Sequence, residues 1–332
     1  MACLLVIQIG IQAVCIHSQH MASLAVLLGA MESSAKGEAL EVIELMGKLS
    51  NISLPPFVLD KDTLYNPTTL KELSGGEGLP QSWTDYVQKL LNFGDKKIDI
   101  EDTERVIIED TNYYNMLSSV LQNTKKKTLA NYAGWKIVVA SLRHIESKEL
   151  SDIFLIEFGQ KEEMWQICSE TVGFNTNTRI PMFKHVVNRM YATTMFNADK
   201  RKKADEMTQY LRDATSKMLE EVDWMDDETK DEAKKKLKNM KHFIGYPDEV
   251  LNKEKIDDFY KGLNMVEEDY FGNVLKIHKH NSKRSDLRFR DIIDHGDWQD
   301  FFVAIYQAAY TPFGNYFRIP AGILQGGVDK SI

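Results

Sequence analysis

From Glu38 to Leu49, apolar residues return every three or four positions. Ala39, Val42, Ile43, Met46 and Leu49 share one face, with glutamates opposite. That period predicts an amphipathic helix. Asn51-Ile52-Ser53 and then Pro55-Pro56 end it. Tyr65-Asn66-Pro67 and Ser74-Gly75-Gly76-Glu77-Gly78 mark turns or loops. Trp83 to Leu91 and Thr103 to Gln122 read as further helices. The clearest helical block runs from Ala204 to Met240, where Met207, Leu211, Ala214, Met218, Val222 and Met225 form one apolar stripe. Asp226 is placed to cap the second helix of that block, because its carboxylate accepts orphan backbone N–H groups. In that helix Ala233, Leu237 and Met240 face inward, and Asp231 with Lys235 and Glu232 with Lys236 are spaced as i, i+4 pairs. Gly245 suits a left-handed helix C-cap, and Pro247 prevents continuation.

After Trp298 the pattern changes. Ala304 to Tyr310 and Tyr316 to Ile319 are rich in β-branched and aromatic residues, and Thr311-Pro312-Phe313-Gly314-Asn315 between them carries turn chemistry. This predicts a β-hairpin, the one clear β signal in a mainly α chain. A lone two-stranded hairpin is marginal in water, so fast amide exchange is expected after about Asp297.

Composition narrows the classes. The chain has 332 residues, 43% hydrophobic and 27% charged, with a net charge of −8, which argues against non-specific nucleic-acid binding. Lys200-Arg201-Lys202-Lys203 and Lys234-Lys235-Lys236 are flanked by acidic residues and read as solvated helical faces. The first thirty residues carry no Lys, Arg, Asp or Glu. Their apolar runs, Leu4 to Ile7 and Ile9 to Val14, fit a signal-peptide core, a buried helix or a sequence foreign to the rest of the chain. They are too short and broken for a membrane-spanning helix of ~20 residues.

Little catalytic chemistry is visible. None of the eight histidines sits in H-E-x-x-H. His278 with His280, and Cys15 with His17 and His20, lack a third ligand at useful spacing. Gly75, Gly76 and Gly78 lack the residues that follow in a phosphate loop, and no nucleophile elbow occurs. Three cysteines, Cys3, Cys15 and Cys168, cannot form a fully paired framework. By itself Cys168 reads as a structural thiol. Asn51 heads the only N-glycosylation sequon.

A succession of landmarks carries a resemblance. Tyr65-Asn66-Pro67 precedes Leu70, Ala130-Asn131-Tyr132 precedes Trp135, and Trp165 precedes Cys168. Phe174, Met182-Phe183-Lys184, Trp224-Met225-Asp226, Ile244-Gly245-Tyr246-Pro247-Asp248 and Pro320-Ala321-Gly322-Ile323-Leu324-Gln325 follow in order. From about His20 to Gln325 the chain resembles the neprilysin and endothelin-converting-enzyme family of zinc metalloendopeptidases. The resemblance implies a helical lid domain over 20–250, then the first β-hairpin of a thermolysin-like catalytic lobe over 251–325. Residues 1–19 and 326–332 depart from the family pattern.

In that family the Pro-Ala-Gly-Ile-Leu-Gln run precedes the H-E-x-x-H helix by a few dozen residues; here only seven residues follow it. The expectation is a fragment without the zinc site, binding no cofactor and inactive alone, although the full-length family uses zinc. The alternative is a stand-alone protein that binds peptides or pairs with a complete family member. An Asn-Ala pair on the hairpin's first strand holds substrate backbone in the family. Aligned back from Pro320, Gln307 takes the Asn position, one methylene longer, and Ala308 keeps the Ala. Without the family, Gln307 is simply an exposed strand residue. The resemblance further implies an extracellular or cell-surface setting, and a Cys168 whose usual disulfide partner has no counterpart here. Nucleic acid and a membrane span are not expected.

Overall fold

Helices dominate, as the periodicity predicts, but short strands appear where none is expected. The structure, a computed structural model, describes residues 2–54, 64–73, 79–80, 82–91, 98–142, 144–145, 163–173, 182–196, 198–292, 297 and 301–325; for residues 2–13, 164, 166, 167, 170 and 285–287 it describes the main chain alone. The chain divides into two units, Met1–Glu163 and Met164–Ile332.

The first unit opens with a helical hairpin of α1 (Ala2–Leu27) and α2 (Glu32–Ile52). Gly29 makes the turn at φ 98°, a conformation that costs glycine little. The Gly29 amide then donates to the Val26 carbonyl and the Ala30 amide to that of Ala25, both at 2.9 Å. This satisfies carbonyls the helix end leaves orphaned. α2 begins a turn and a half before the predicted start, its buried face being Ala35, Ala39, Val42 and Leu45. Ala35, Ala39 and Val42 pack with Met21 and Leu24 of α1 and with Trp135 and Leu142 of α5 (Lys126–Leu142). Burying one such large aliphatic side chain fully stabilises by ~1.5–3 kcal/mol.

Polar clasps border this core. Lys127 and Asn131 donate to Glu38 at 2.6 and 2.9 Å, while Lys125 and Thr128 donate to Glu41 at 2.5 and 2.6 Å. Hydrogen bonds from Lys127, Ser34 and Asn131 hold the Glu38 carboxyl down at about 2. The Ala130-Asn131-Tyr132…Trp135 landmark thus has a structural reading: Asn131 and Trp135, one turn apart, both face α2.

The rest of the first unit corrects two sequence expectations. Asn66–Thr69 is a strand, β1, where a turn was expected; it pairs antiparallel with β2 (Arg105–Ile108). Thr103 to Gln122 is therefore not one helix: only α4 (Thr111–Gln122) is helical, started by Asp110, whose side chain accepts from the Tyr113 amide. The β-branched run Val106-Ile107-Ile108 wins against a helical reading because Leu70, Ile98 and Ile100 give it a core to cover. α3 (Trp83–Leu91) forms as predicted. Its Trp83 Nε1 donates to the Tyr114 hydroxyl at 2.9 Å, and that hydroxyl donates to the Leu73 carbonyl.

The second unit contains α6 (Met164–Val172), α7 (Lys184–Thr194), α8 (Ala198–Glu221), α9 (Asp227–Asn239), α10 (Lys253–Phe259) and α11 (Tyr270–Leu287). Asp226 caps α9 as expected, accepting from the Thr229 amide at 2.7 Å. Asp226→Ala is expected to lower the melting temperature and Asp226→Asn to retain most of it; thermal scans of the two variants check this. The expected i, i+4 pairs give way to others: Lys235 meets Glu232 at 2.7 Å and Lys234 meets Glu220 at 3.2 Å.

The apolar stripe of α8 does not form its packed face. Met207, Leu211 and Met218 are 48%, 61% and 56% exposed. Ala204 and Thr208 are buried instead, and Arg212 donates to the Met240 carbonyl. The packed side carries threonine and arginine, whose aliphatic stems cover apolar surface while their polar ends find partners. A purely hydrophobic period misses such a face.

A mixed sheet completes the unit. β3 (Lys241–Gly245) pairs parallel with β5 (Tyr316–Pro320), which pairs antiparallel with β4 (Ala309–Thr311), giving the order β3-β5-β4. The expected hairpin is present but shorter, and it is not alone. Gly245 has the left-handed φ of 75°, at the end of a strand and not of a helix.

Candidate functional site

The family-marking segments converge on β5. Ala321 is fully buried, and its amide donates to the Gly245 carbonyl at 2.9 Å. The Gly322 amide donates to the Val303 carbonyl, also at 2.9 Å. A Cβ on Gly322 would lie 2.6 Å from the Ala304 carbonyl oxygen and closer still to that of Ile305. Only glycine permits this backbone approach. Gln325 finishes the turn: the Tyr191 hydroxyl donates to its Oε1 at 2.7 Å, and its Nε2 donates to the Met195 carbonyl at 2.8 Å. Pro320–Gln325 is therefore a lock between β5, the 301–305 segment and α7.

The second landmark closes the same core. Phe196 and Tyr246 meet edge to face at 5.9 Å. Arg201 lies over Tyr246 at 5.1 Å and pairs with Asp248 at 2.6 Å. Ile244, Val250, Phe301, Val303 and Leu324 fill the space between.

Two buried polar residues of α7 escaped sequence reasoning. The Asn188 side chain, 3% exposed, donates to the Phe301 carbonyl at 2.7 Å and accepts from the Val303 amide at 2.9 Å. One amide group thereby acts as a strand partner for the segment leading to β4. His185, 2% exposed, meets Phe259 edge to face at 4.2 Å, and its main-chain amide donates to the Tyr260 hydroxyl at 3.3 Å. Burial first, then the Lys184 and Arg284 charges, push its imidazole down to about 3, and burial pushes the Tyr260 phenol up. The available signal was spacing: His185, Asn188 and Ala192 lie at i, i+3 and i+7, one inward face with polar residues on it.

Gln307 and Ala308 are exposed and lie immediately before β4, outside the paired register that starts with Ala309 opposite Arg318. The strand expected from Ala304 is shortened: the Val303 carbonyl accepts from the Gly322 amide, and the Ala304 and Ile305 carbonyls lie close against Gly322. β4 is an outer strand of this sheet, and beside Gln307 the Tyr306 side chain is 85% exposed. Asn51 is exposed in the last turn of α2, where the Ser53 hydroxyl donates to the Leu49 carbonyl at 2.8 Å. Cys168 and Cys15 are exposed free thiols. Phe174 lies outside the described residues, as does the Cys3 side chain.

Two of the described histidines engage main-chain carbonyls. His280 Nε2 engages the Phe259 carbonyl at 2.8 Å, and His20 Nδ1 the Ile16 carbonyl at 2.8 Å. Among the described residues no three His, Cys, Asp or Glu side chains are grouped to hold a metal ion. Among the described residues, no helix is long and apolar enough to cross a membrane.

Comparison with known proteins gives these landmarks a lineage. The family model described as "Peptidase family M13" matches residues 14–247. Neprilysin-2 of Drosophila melanogaster is 30% identical over 321 residues, covering 93% of this chain and 41% of that protein. Membrane metallo-endopeptidase-like 1 of Mus musculus is 29% identical, covering 93% of this chain and 41% of that protein. The open state of Mycobacterium tuberculosis zinc metalloprotease Zmp1 shares the fold at TM-score 0.75 and 20% identity, covering 95% of this chain and 47% of that one. These matches and the mainly helical fold define the N-terminal region of a metallopeptidase. The chain belongs to peptidase family M13, and it spans about two fifths of the length of the curated relatives it matches.

Proposed function

We propose that these 332 residues serve as the non-catalytic, lid-forming portion of a zinc metalloendopeptidase, contact peptide substrates through Gln307 and Ala308, and hydrolyse nothing alone. The supporting observation is the β4 margin. An outer strand, preceded by an exposed segment, offers main-chain groups to an incoming peptide. Strand addition of this kind gives affinity that tolerates many side chains. Gln307 supplies the amide that would fix the peptide backbone, and Ala308 leaves room for it.

One observation favours a second reading, in which the chain captures peptides or pairs with a complete family member by itself. The hairpin is seated on β3 and on the Asn188 clasp within this chain, so its edge stands without further strands. The exposed Asn51 fits a glycan acceptor on a secreted or cell-surface protein.

The test is hydrogen exchange with and without an extended apolar peptide. Amides of Tyr306 to Thr311 are expected to slow when peptide is present, and Gln307→Ala is expected to weaken that protection. Unchanged exchange at saturating peptide removes the contact role from this edge.

A further inference from the structure

α8 exposes an apolar strip along much of its length. Met207, Leu211, Ala214 and Met218 follow one another at spacings of four, three and four, the step of a coiled-coil seam. All four are exposed, and Tyr210 beside them is 74% exposed. Contiguous apolar surface of this kind is uncommon on a monomer and marks interaction sites. Trp224, also 74% exposed, lies three residues past the helix end. Tryptophan is enriched among the residues that anchor interfaces.

The strip ends in charges of opposite sign. Lys203 and Glu221 are exposed and lie about five helical turns apart, which puts both on the side of the helix that carries the strip. Neither forms an ion pair among the described residues. Their neighbours are already engaged, Arg201 with Asp248 at 2.6 Å and Glu220 with Lys234 at 3.2 Å. Glu221 also sits in the last turn, where the helix dipole disfavours an acid and no basic residue shares the turn. The apolar residues and the two charges have a common midpoint near Arg212.

We propose that this face of α8 binds a second copy of the chain in antiparallel register, about a two-fold axis near Arg212. Turned end for end, the face complements itself. Met207 meets Met218, Leu211 meets the small Ala214, and Lys203 comes beside Glu221 at both ends. Such self-complementarity is what an isologous interface requires. Parallel pairing would instead set Lys203 against Lys203 and Glu221 against Glu221, two like-charge contacts. Antiparallel pairing also places the N-terminus of each helix beside the C-terminus of the other, so the two dipoles oppose.

Sedimentation equilibrium of the full chain across a concentration series tests this. The mass is expected to rise with concentration from the 38.1 kDa of one chain toward twice that value. Leu211→Glu is expected to weaken the dimer about thirtyfold or more. Lys203→Glu and Glu221→Lys should each weaken it about fivefold or more, because every contact occurs twice. Combined, Lys203→Glu/Glu221→Lys should restore it, which parallel pairing would not. Ile137→Glu puts the same charge on an exposed apolar site of α5 in the first unit and should leave it unchanged. A single-chain mass throughout, a dimer indifferent to Leu211→Glu, or no rescue by the charge swap overturns the proposal. Circular dichroism monitors folding; were Leu211→Glu to disturb α8, the charge swap at exposed positions decides alone.

Discussion

Asn188→Ala is expected to destabilise the second unit by ~2–4 kcal/mol, because it strands the Phe301 carbonyl and the Val303 amide in the interior. A buried polar group that loses its partner costs ~1–3 kcal/mol, and here two lose theirs at once. Water cannot easily replace the amide beside Val303, which is fully buried. Gly322→Ala attacks the same lock from the other side by forcing backbone apart at Ala304 and Ile305. Both variants should lower the urea midpoint and speed amide exchange from Val303 through Leu324, while α2 and α5 keep their protection. A midpoint within error of the wild type for Asn188→Ala would mean that the clasp does not hold this segment.

Acid should weaken the fold through His185. Its imidazole titrates near 6.5 when unfolded and only at about 3 when folded, so between those values the unfolded chain takes up a proton that the folded chain refuses. Stability therefore falls as pH drops below about 6.5, by ~1.4 kcal/mol per unit while the difference is fully expressed. Between pH 6.5 and 5 the loss reaches up to ~2 kcal/mol from this one group. His185→Phe, which keeps an aromatic ring against Phe259, should flatten that slope. His280, also pushed down chiefly by burial, contributes part of what remains. Urea midpoints of both proteins across this range decide it: parallel slopes would show that His185 is not the acid-sensitive group.

Local rules reach only part of this molecule. The α2 stripe, the α3 helix and the Asp226 cap are legible because each rests on spacing within one element. The Pro320–Gln325 lock is legible as a family mark but not as a mechanism, since its partners Gly245, Val303, Tyr191 and Met195 are distant in sequence. β2 and β3 were missed because four- and five-residue strands carry almost no period, and only pairing partners select them. The same cause misjudged the hairpin: taken as lacking support, it is covered on one side by β3, more than seventy residues upstream of β5. On α8, apolar residues point outward and Thr208 and Arg212 inward, so hydrophobicity alone chose the wrong face. Gln307 and Ala308 were placed by alignment; the chain brings them to an exposed margin, but nothing in their own residue types marks a peptide contact.

We propose that the chain does not hydrolyse peptides by itself. Its 332 residues contain no H-E-x-x-H sequence; His20 and His280 engage main-chain carbonyls, His185 meets Phe259, and His242 pairs with Asp205. Metal-assisted hydrolysis requires bound metal, an activated water and a base in one site. The direct measurement is to incubate the homogeneous chain with zinc and a mixture of extended peptides, then follow peptide masses with and without chelator. Intact peptides are expected in both conditions; chelator-sensitive cleavage that co-purifies with the chain would overturn the proposal.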